Sequence, residues 1–239
     1  MEEAFQKYVS LNYDLANPDI KRKYEHSLKV ANLAKQIATS LNLSEEEIHL
    51  AYIAGYLHDI GRFEEVKRFN KLSINNHFDH ADYALKILYE DSYFKKFNIL
   101  EKDWSIISFA IRNHNKYMIE ETSSKIKLLI AKILRDADKI DIYRVIKNSI
   151  EVDGEVSSKV LKCLEEEKSV PHNLVKNKTD LHFFRLAWIY DFNFKVSLDI
   201  LKKLDYLNMY LNEIKEEKIK ASLIKERDKA FKRMEEKLC

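Results

Sequence analysis

Apolar and polar residues alternate with a helical period over most of the chain. One such stripe has the spacing of a single helix face and consists of His26, Val30, Leu33 and Ile37. Asn17-Pro18 predicts the start of this helix, because asparagine caps helices and proline suits the first helical position. We place the end of the helix near Ser40. The same periodicity elsewhere predicts an all-α protein.

A capping box opens the next predicted helix, where Ser44 is followed three residues later by Glu47. From Leu50 to Leu57 this segment is apolar on every side, which indicates a central, buried helix. Gly55 would allow a neighbouring helix to approach closely. Gly61 suits the position that ends a helix, so we expect this helix to stop there.

A polar loop is expected to follow, roughly from Glu64 to Asn76. Further helices are predicted by the periodicity of HFDHADYALKILYE, KDWSIISFAIRNH and SKIKLLIAKILRDADKIDIYRVI. Around Val152 to Pro171 the chain is polar, and we expect a connection that contains one short helix. From Glu213 onward basic and acidic side chains are mixed, which is typical of a solvated helix.

The scarcity of glycine and proline excludes several classes of protein. The chain has only three glycines and two prolines, whereas all-β folds need many turns with positive φ. Gly55, Gly61 and Gly154 are too far apart for a dinucleotide-binding fingerprint or a Walker loop. Two large groups of nucleotide-binding enzymes are therefore excluded.

Charge and cysteine content point to an ordinary reduced protein. The net charge of +2 gives no reason to expect a nucleic acid as partner. Cys163 and Cys239 are too few and too distant for a disulfide framework or a zinc site. Neither a secretory signal nor an apolar run long enough for a bilayer is found. We expect a soluble, cytoplasmic protein without a membrane partner.

Asp59 is the first candidate for chemistry, because it follows a buried helix directly. A carboxylate in the last turn opposes the negative end of the helix dipole, and burying it unpaired costs several kcal/mol. A bound cation would remove both penalties, and the adjacent His58 would add a nitrogen ligand. A buried ion pair between Asp59 and Arg62 is the alternative that needs no metal.

Other titratable residues interrupt or end apolar helix faces. Asp138 has apolar neighbours at helical spacing on both sides, and a histidine begins or ends the stripes that contain His26, His80 and His114. Such groups on different helices could converge on one point. Each histidine alone is more often a hydrogen-bonded core residue than a ligand. His182 also begins an apolar stripe, and we do not predict it to be a ligand.

The order of these residues resembles a known family. His26, His58-Asp59 and Asp138, in YEHSLKVANLA, AYIAGYLHDIGR and ILRDADKID, are similar to the H…HD…D pattern of the HD-domain superfamily of metal-dependent phosphohydrolases. The resemblance covers residues 20–145. It implies an HD-domain-like helical bundle with a C-terminal helical extension, in which these four residues hold a divalent metal.

His80 and His114 extend the resemblance to members with two metals, such as the HD-GYP group. In that comparison Asp59 would bridge the two ions. Asn113 stands where a second adjacent histidine is common, and the GYP signature is missing, so a cyclic dinucleotide substrate is not supported. The HD-x-x-E/D signature of nucleotidases and alarmone hydrolases is also missing.

The implied activity is cleavage of a small phosphoester or nucleotide by a metal-bound hydroxide. Imidazole and carboxylate ligands suit one or two ions of Mn, Fe, Ni, Co, Zn or Mg. Besides Asp59, we predict catalytic roles for Arg62, which offers a planar fork to a phosphate, and for Lys139, which follows Asp138. Both are otherwise ordinary surface cations. His77 is a weaker candidate for substrate contact, and Lys116 and Tyr117 for the pocket wall.

Two alternatives and the domain organisation complete the expectations. The same ligands would suit a di-iron oxygenase of the same fold, or a non-catalytic helical module that senses a nucleotide. Residues 1–150 are predicted to form the HD-like metal-binding domain, and residues 151–239 to be C-terminal helices packed on it. The expected partner is a small phosphorylated molecule, and the C-terminal part is a possible homo-oligomer surface.

Overall fold

Helices form all the regular structure in the part of the chain that the computed structural model describes, residues 1–70, 72, 78–90, 93–146 and 151–238. No strand occurs within those ranges, so the predicted all-α fold is confirmed. The chain divides into two compact units, Met1–Asp138 and Lys139–Cys239. Within the described ranges, every helix is too short or too polar to cross a membrane.

The first unit begins with helices whose ends are set by local chemistry. Its elements are α1 (Glu2–Asn12), α2 (Pro18–Ser40), α3 (Glu45–Leu57), α4 (Ile60–Phe69), α5 (His80–Tyr89), α6 (Tyr93–Lys96), α7 (Glu101–Asn113) and the first part of α8 (Lys125–Val145). The Asn17 side chain accepts hydrogen bonds from the amides of Asp19 and Ile20. Ser44 and Glu47 form the predicted capping box at the start of α3. Both predicted helix starts are therefore confirmed.

The close approach of α2 and α3 depends on Gly55. A Cβ atom on this residue would lie 2.5 Å from the Cα atom of Ala31, so only glycine allows the two backbones to touch in this way. Most of α3 is buried, as expected for a central helix. This contact brings His26, on α2, towards His58, which follows α3.

The predictions for Gly61 and for the loop after it were wrong. The helix α3 ends at Leu57, and α4 begins at Ile60 after a turn made by His58 and Asp59. Gly61 lies inside α4, where a Cβ atom would be 2.2 Å from the carbonyl oxygen of His80. The residue is thus used for close packing against α5 rather than for ending a helix.

Part of the segment predicted as a polar loop is helical. The helix α4 continues to Phe69, because Phe63 and Val66 bury one face of it. It ends at Asn70, which takes the left-handed conformation with φ of 53° that often closes a helix. The expected loop residues at positions 71 and 73–76 lie outside the described residues.

The second unit is also helical. It contains α9 (Ser158–Glu165), α10 (Lys178–Leu186), α11 (Lys195–Leu204), α12 (Tyr206–Asn212), α13 (Glu217–Leu238) and two short 3₁₀ helices (His172–Leu174 and Ala187–Asp191). The single short helix expected between Val152 and Pro171 is α9. The long, mixed-charge helix expected near the C-terminus is α13, and it buries Leu223, Ala230 and Met234.

His182 is a hydrogen-bonded core residue of the second unit, as expected. Its Nδ1 atom is 2.5 Å from the Tyr210 hydroxyl, and its Nε2 atom is 3.0 Å from the carbonyl oxygen of Glu151. Burial lowers the pKa of His182 below its ordinary value. The folded protein therefore keeps this imidazole neutral at a pH where the unfolded chain protonates it.

This difference predicts a pH-dependent loss of stability. As the pH falls below about 6.5, the unfolded chain gains a proton at His182 that the folded chain does not accept. We expect the free energy of unfolding in urea to fall more between pH 7.5 and pH 5 in the wild type than in His182→Gln. The His49→Gln variant, at an exposed position, is the control. Equal pH dependence in the wild type and His182→Gln would contradict the prediction.

Candidate metal centre

All six predicted metal ligands lie in one cluster of the first unit. They are His26 on α2, His58 and Asp59 between α3 and α4, His80 at the start of α5, His114 after α7, and Asp138 on α8. The histidines and Asp59 are buried, and the Asp138 side chain is 23% exposed. Groups of three of these residues place donor atoms within 4.8 Å of one another.

The two carboxylate oxygens of Asp59 face different pairs of histidines. Oδ2 is 3.7 Å from Nε2 of His26 and 3.5 Å from Nε2 of His58. Oδ1 is 3.5 Å from Nε2 of His80 and 3.7 Å from Nε2 of His114. A carboxylate in this position can serve two ions at once, as in two-metal sites where the ions are about 3.5–4 Å apart.

Backbone carbonyls orient two of the imidazoles for metal binding. Nδ1 of His58 is 2.8 Å from the carbonyl oxygen of Gly55, and Nδ1 of His114 is 2.6 Å from that of Ile111. A ring that donates Nδ1–H to a carbonyl presents the lone pair of Nε2 to a metal. The buried Nε2 atom of His58 has no hydrogen-bond partner among the described residues. A buried acceptor without a partner fits a role as a metal ligand.

The spacing of the donor atoms also fits metal coordination. Nε2 of His80 and Nε2 of His114 are 3.1 Å apart, and Nε2 of His26 is 3.0 Å from Oδ1 of Asp138. Two ligand atoms bound at about 2.1 Å and at right angles lie about 3.0 Å apart. Each pair therefore has the separation of neighbouring ligands on one ion, and the residues present fit a divalent metal.

The surrounding charges keep both aspartates ionised. Burial acts to raise the pKa of the Asp59 carboxyl, but the Lys23 ammonium holds that pKa well below its usual range. Burial opposes ionisation of Asp138 in the same way, and its contacts with His26 and His58 hold its pKa well below the usual range. Ionised carboxylates are the form that binds metal.

His80 is kept neutral by its surroundings. Burial lowers the pKa of this imidazole well below its usual range, and the positive charge of Arg62 lowers it further, although Asp59 acts in the opposite direction. A neutral imidazole is the form that binds metal. His80 is thus a competent ligand at neutral pH.

Lys23 is a member of the site that the sequence reasoning missed. Its side chain is buried, and its Nζ atom is 2.7 Å from Oδ2 of Asp59. The available signal was its position three residues before His26, which places both on the same face of α2. Lys23 supplies a fixed positive charge beside the oxygen that also faces His26 and His58.

The structure places Arg62 beside the ligands, in the first turn of α4. One guanidinium nitrogen, Nη1, donates a hydrogen bond of 2.6 Å to Oε2 of the buried Glu65. Nε of Arg62 is 3.7 Å from Oδ1 of Asp59. Glu65 was not singled out in the sequence, and it holds one edge of Arg62 in place. The predicted phosphate-binding role of Arg62 remains a prediction.

The other candidate residues lie in different surroundings. Lys139 belongs to the second unit, where its Nζ atom is 2.6 Å from Oδ2 of Asp191. Lys116 forms an ion pair of 2.9 Å with Asp79, and Tyr117 is 49% exposed. His77 lies outside the described residues. The catalytic role of Lys139 stays a prediction.

Comparison with known proteins identifies the family of the chain. A family model of the HD domain matches residues 24–143, a segment that contains all six candidate ligands. No curated protein and no solved structure gives a match. Because the family model covers half of the sequence, and because a buried histidine and aspartate cluster able to hold metal lies in the matched segment, the chain belongs to the HD domain family.

Proposed function

We propose that the protein is a metal-dependent phosphohydrolase that cleaves a small phosphoester or a nucleotide. One observation carries the proposal: each oxygen of Asp59 faces its own pair of histidine Nε2 atoms, at 3.5–3.7 Å. Family membership supports it, because HD domains are commonly metal-dependent hydrolases.

The chain divides its ligands into two sets that share Asp59. His26, His58 and Asp138 would complete the first set, while His80 and His114 would complete the second. A divalent metal, when bound, lowers the pKa of a coordinated water and stabilises negative charge on phosphoryl oxygens. Four imidazoles with two carboxylates suit Mn²⁺, Fe²⁺, Co²⁺, Ni²⁺ or Zn²⁺ better than Mg²⁺, which prefers oxygen ligands.

The guanidinium group of Arg62 fits a role in binding an anion. The Arg62 side chain is 23% exposed, and Glu65 holds one of its terminal nitrogens at 2.6 Å. A guanidinium held at one edge can offer its other N–H groups to a phosphate in a planar arrangement. Arg62 would thus orient the substrate beside the ions.

The Arg62→Lys variant tests this role. Lysine keeps the charge but lacks the planar fork, so we expect kcat/KM to fall about 10–100-fold, the equivalent of one or two charge-assisted hydrogen bonds. The metal content should not change. The control is Arg68→Lys, an exposed arginine on the same helix that pairs with Glu64. Steady-state kinetics equal to wild type in Arg62→Lys would exclude the role.

The activity itself is tested with protein stripped of metal and reloaded with single divalent ions. The substrate panel contains chromogenic phosphomonoesters and phosphodiesters, and nucleoside mono-, di- and triphosphates. We expect turnover of at least one class that requires metal, stops on chelation and returns on reloading. If metal-replete protein turned over none of the panel, the proposal would be rejected.

The same experiment separates the two alternatives. Consumption of oxygen with Fe²⁺, without release of phosphate, would indicate a di-iron oxygenase of the same fold. Stoichiometric binding of a nucleotide without any turnover would indicate a sensing module. In both cases the metal ligands would be the same, but the protein would not be a phosphohydrolase.

A further inference from the structure

We propose that Asp79 is a positioning residue that joins the start of α5 to the segment after His114 and so sets the spacing of the second pair of histidines. The inference rests on the proposed two-ion centre. In this role Asp79 would contact neither an ion nor the substrate, but it would govern the occupancy of one ion site.

Asp79 first fixes the start of the helix that carries His80. It is the N-cap residue of α5, and its Oδ1 atom accepts hydrogen bonds of 2.9 Å from the amide of Ala81 and 3.3 Å from that of Asp82. His80 is the first residue of this helix. The cap therefore determines where the His80 backbone lies.

The same carboxylate also binds the segment that follows His114. Nδ2 of Asn115 donates to Oδ1 of Asp79 at 3.1 Å, and Nζ of Lys116 donates to Oδ2 at 2.9 Å. Asp79 thus contacts the residues directly after one ligand and precedes the other ligand by one position. Asp79 therefore connects the backbones that carry His80 and His114, whose Nε2 atoms are 3.1 Å apart.

Arg135 holds the same segment independently from the side of α8. Its Nη1 atom donates to the carbonyl oxygens of Asn113 at 2.9 Å and Lys116 at 2.5 Å, and its Nη2 atom donates to that of Tyr117 at 3.4 Å. Because these contacts do not involve Asp79, the segment should stay folded when Asp79 is replaced. A change at Asp79 is therefore a local change of spacing.

Replacement of Asp79 should affect the two proposed ion sites differently. His26 and His58 belong to α2 and to the end of α3, whereas Asp79 contacts α5 and the segment after His114. The His80 and His114 pair depends on the connection. Outer contacts that orient metal ligands commonly change affinity about 10–100-fold. Because the Asp79 and Lys116 side chains are both about one-third exposed, we expect the lower end of this range and little change in melting temperature.

Two variants separate the connection from the helix cap. In Asp79→Ser the hydroxyl still caps α5, but it cannot reach Lys116. In Lys116→Met the cap is untouched and the ammonium is lost. The control is Lys102→Met, which removes an exposed lysine paired with Glu46 at 2.5 Å on α7.

Stepwise Mn²⁺ affinities are measured by calorimetry on the full chain, and electron paramagnetic resonance distinguishes a coupled ion pair from single ions. We expect Asp79→Ser and Lys116→Met to bind the first ion as wild type does and the second about tenfold more weakly, with loss of the coupled signal at limiting metal. Lys102→Met should match the wild type in both steps.

Four results would overturn the inference. Unchanged second-ion affinity in both variants would show that the connection does not position the ligands. Equal weakening of both ions, with a lower melting temperature, would show general destabilisation. A wild type that binds a single ion would remove the second site but leave the proposed hydrolase intact, whereas a wild type that binds no ion would contradict the proposed function as well.

Discussion

The Asp59→Asn variant is expected to bind neither ion tightly and to lose metal-dependent turnover by at least about 1000-fold. The reason is that one oxygen of Asp59 faces each histidine pair. Losing an outer contact to a ligand already costs about 10–100-fold, so losing a ligand shared by two ions should cost more. Metal content by elemental analysis and turnover of the best phosphoester measure both effects.

The same substitution also affects stability, so a second variant is needed. Asparagine would leave the Lys23 ammonium, 2.7 Å from Oδ2 of Asp59, buried without its carboxylate, and breaking a buried ion pair costs about 3–5 kcal/mol. The double variant Asp59→Asn with Lys23→Met removes both charges. We expect this double variant to regain much of the lost stability but to bind no metal.

Asp228→Asn, at a side chain that is 64% exposed in the second unit, is the control for both measurements. The account of Asp59 would be contradicted if the folded double variant retained two ions per chain.

The Gly61→Ala variant is expected to disrupt the packing of α4 against α5. The added Cβ atom would lie 2.2 Å from the carbonyl oxygen of His80 and 2.9 Å from the amide nitrogen of Ala84. These are backbone atoms of α5 and cannot rotate away, so the helices must separate. We expect a loss of about 1–3 kcal/mol or more in the free energy of unfolding, together with loss of the second ion, because His80 would move.

Two other glycines serve as comparisons for Gly61. Gly55→Ala should also destabilise the protein, since its Cβ atom would meet Ala31 of α2 at 2.5 Å, but it should disturb the first histidine pair. Gly154→Ala places a side chain at φ of +65° in the second unit and should cost about 1 kcal/mol without changing metal content. A Gly61→Ala protein as stable as wild type, with two ions, would refute the packing argument.

The helix ends in the first unit were predictable where the signal is local. Asn17 and Pro18 act on amides within the next few residues, and Ser44 and Glu47 satisfy each other across one turn. Capping interactions of this kind can be predicted from a few neighbouring residues. The predicted span of α2 therefore agrees with the structure.

The turn between α3 and α4 was not predictable in the same way. Gly61 has the sequence signal of a helix end, but its place is decided by contact with the backbone of His80, which lies far along the chain. A glycine required for close packing and a glycine required for positive φ look identical in a sequence. For this reason the part of α4 from Glu64 onward was predicted as a loop.

The candidate site shows a similar division. Histidines and aspartates that end or interrupt apolar stripes could be selected from the sequence, and their order indicated the family. The distances between these side chains could not be predicted from the sequence, because they depend on how five helices pack. Lys23, Glu65, Asp79 and Arg135 were missed, since ionic residues in a helical chain are common and only their partners distinguish them.

Anomalous diffraction from crystals of the Mn²⁺-loaded protein would determine whether two metal ions share Asp59, as we propose. We expect two anomalous peaks about 3.5–4 Å apart. One should lie beside His26, His58 and Asp138 and the other beside His80 and His114, with Asp59 between them. A single peak, or peaks that lie away from Asp59, would contradict this proposal.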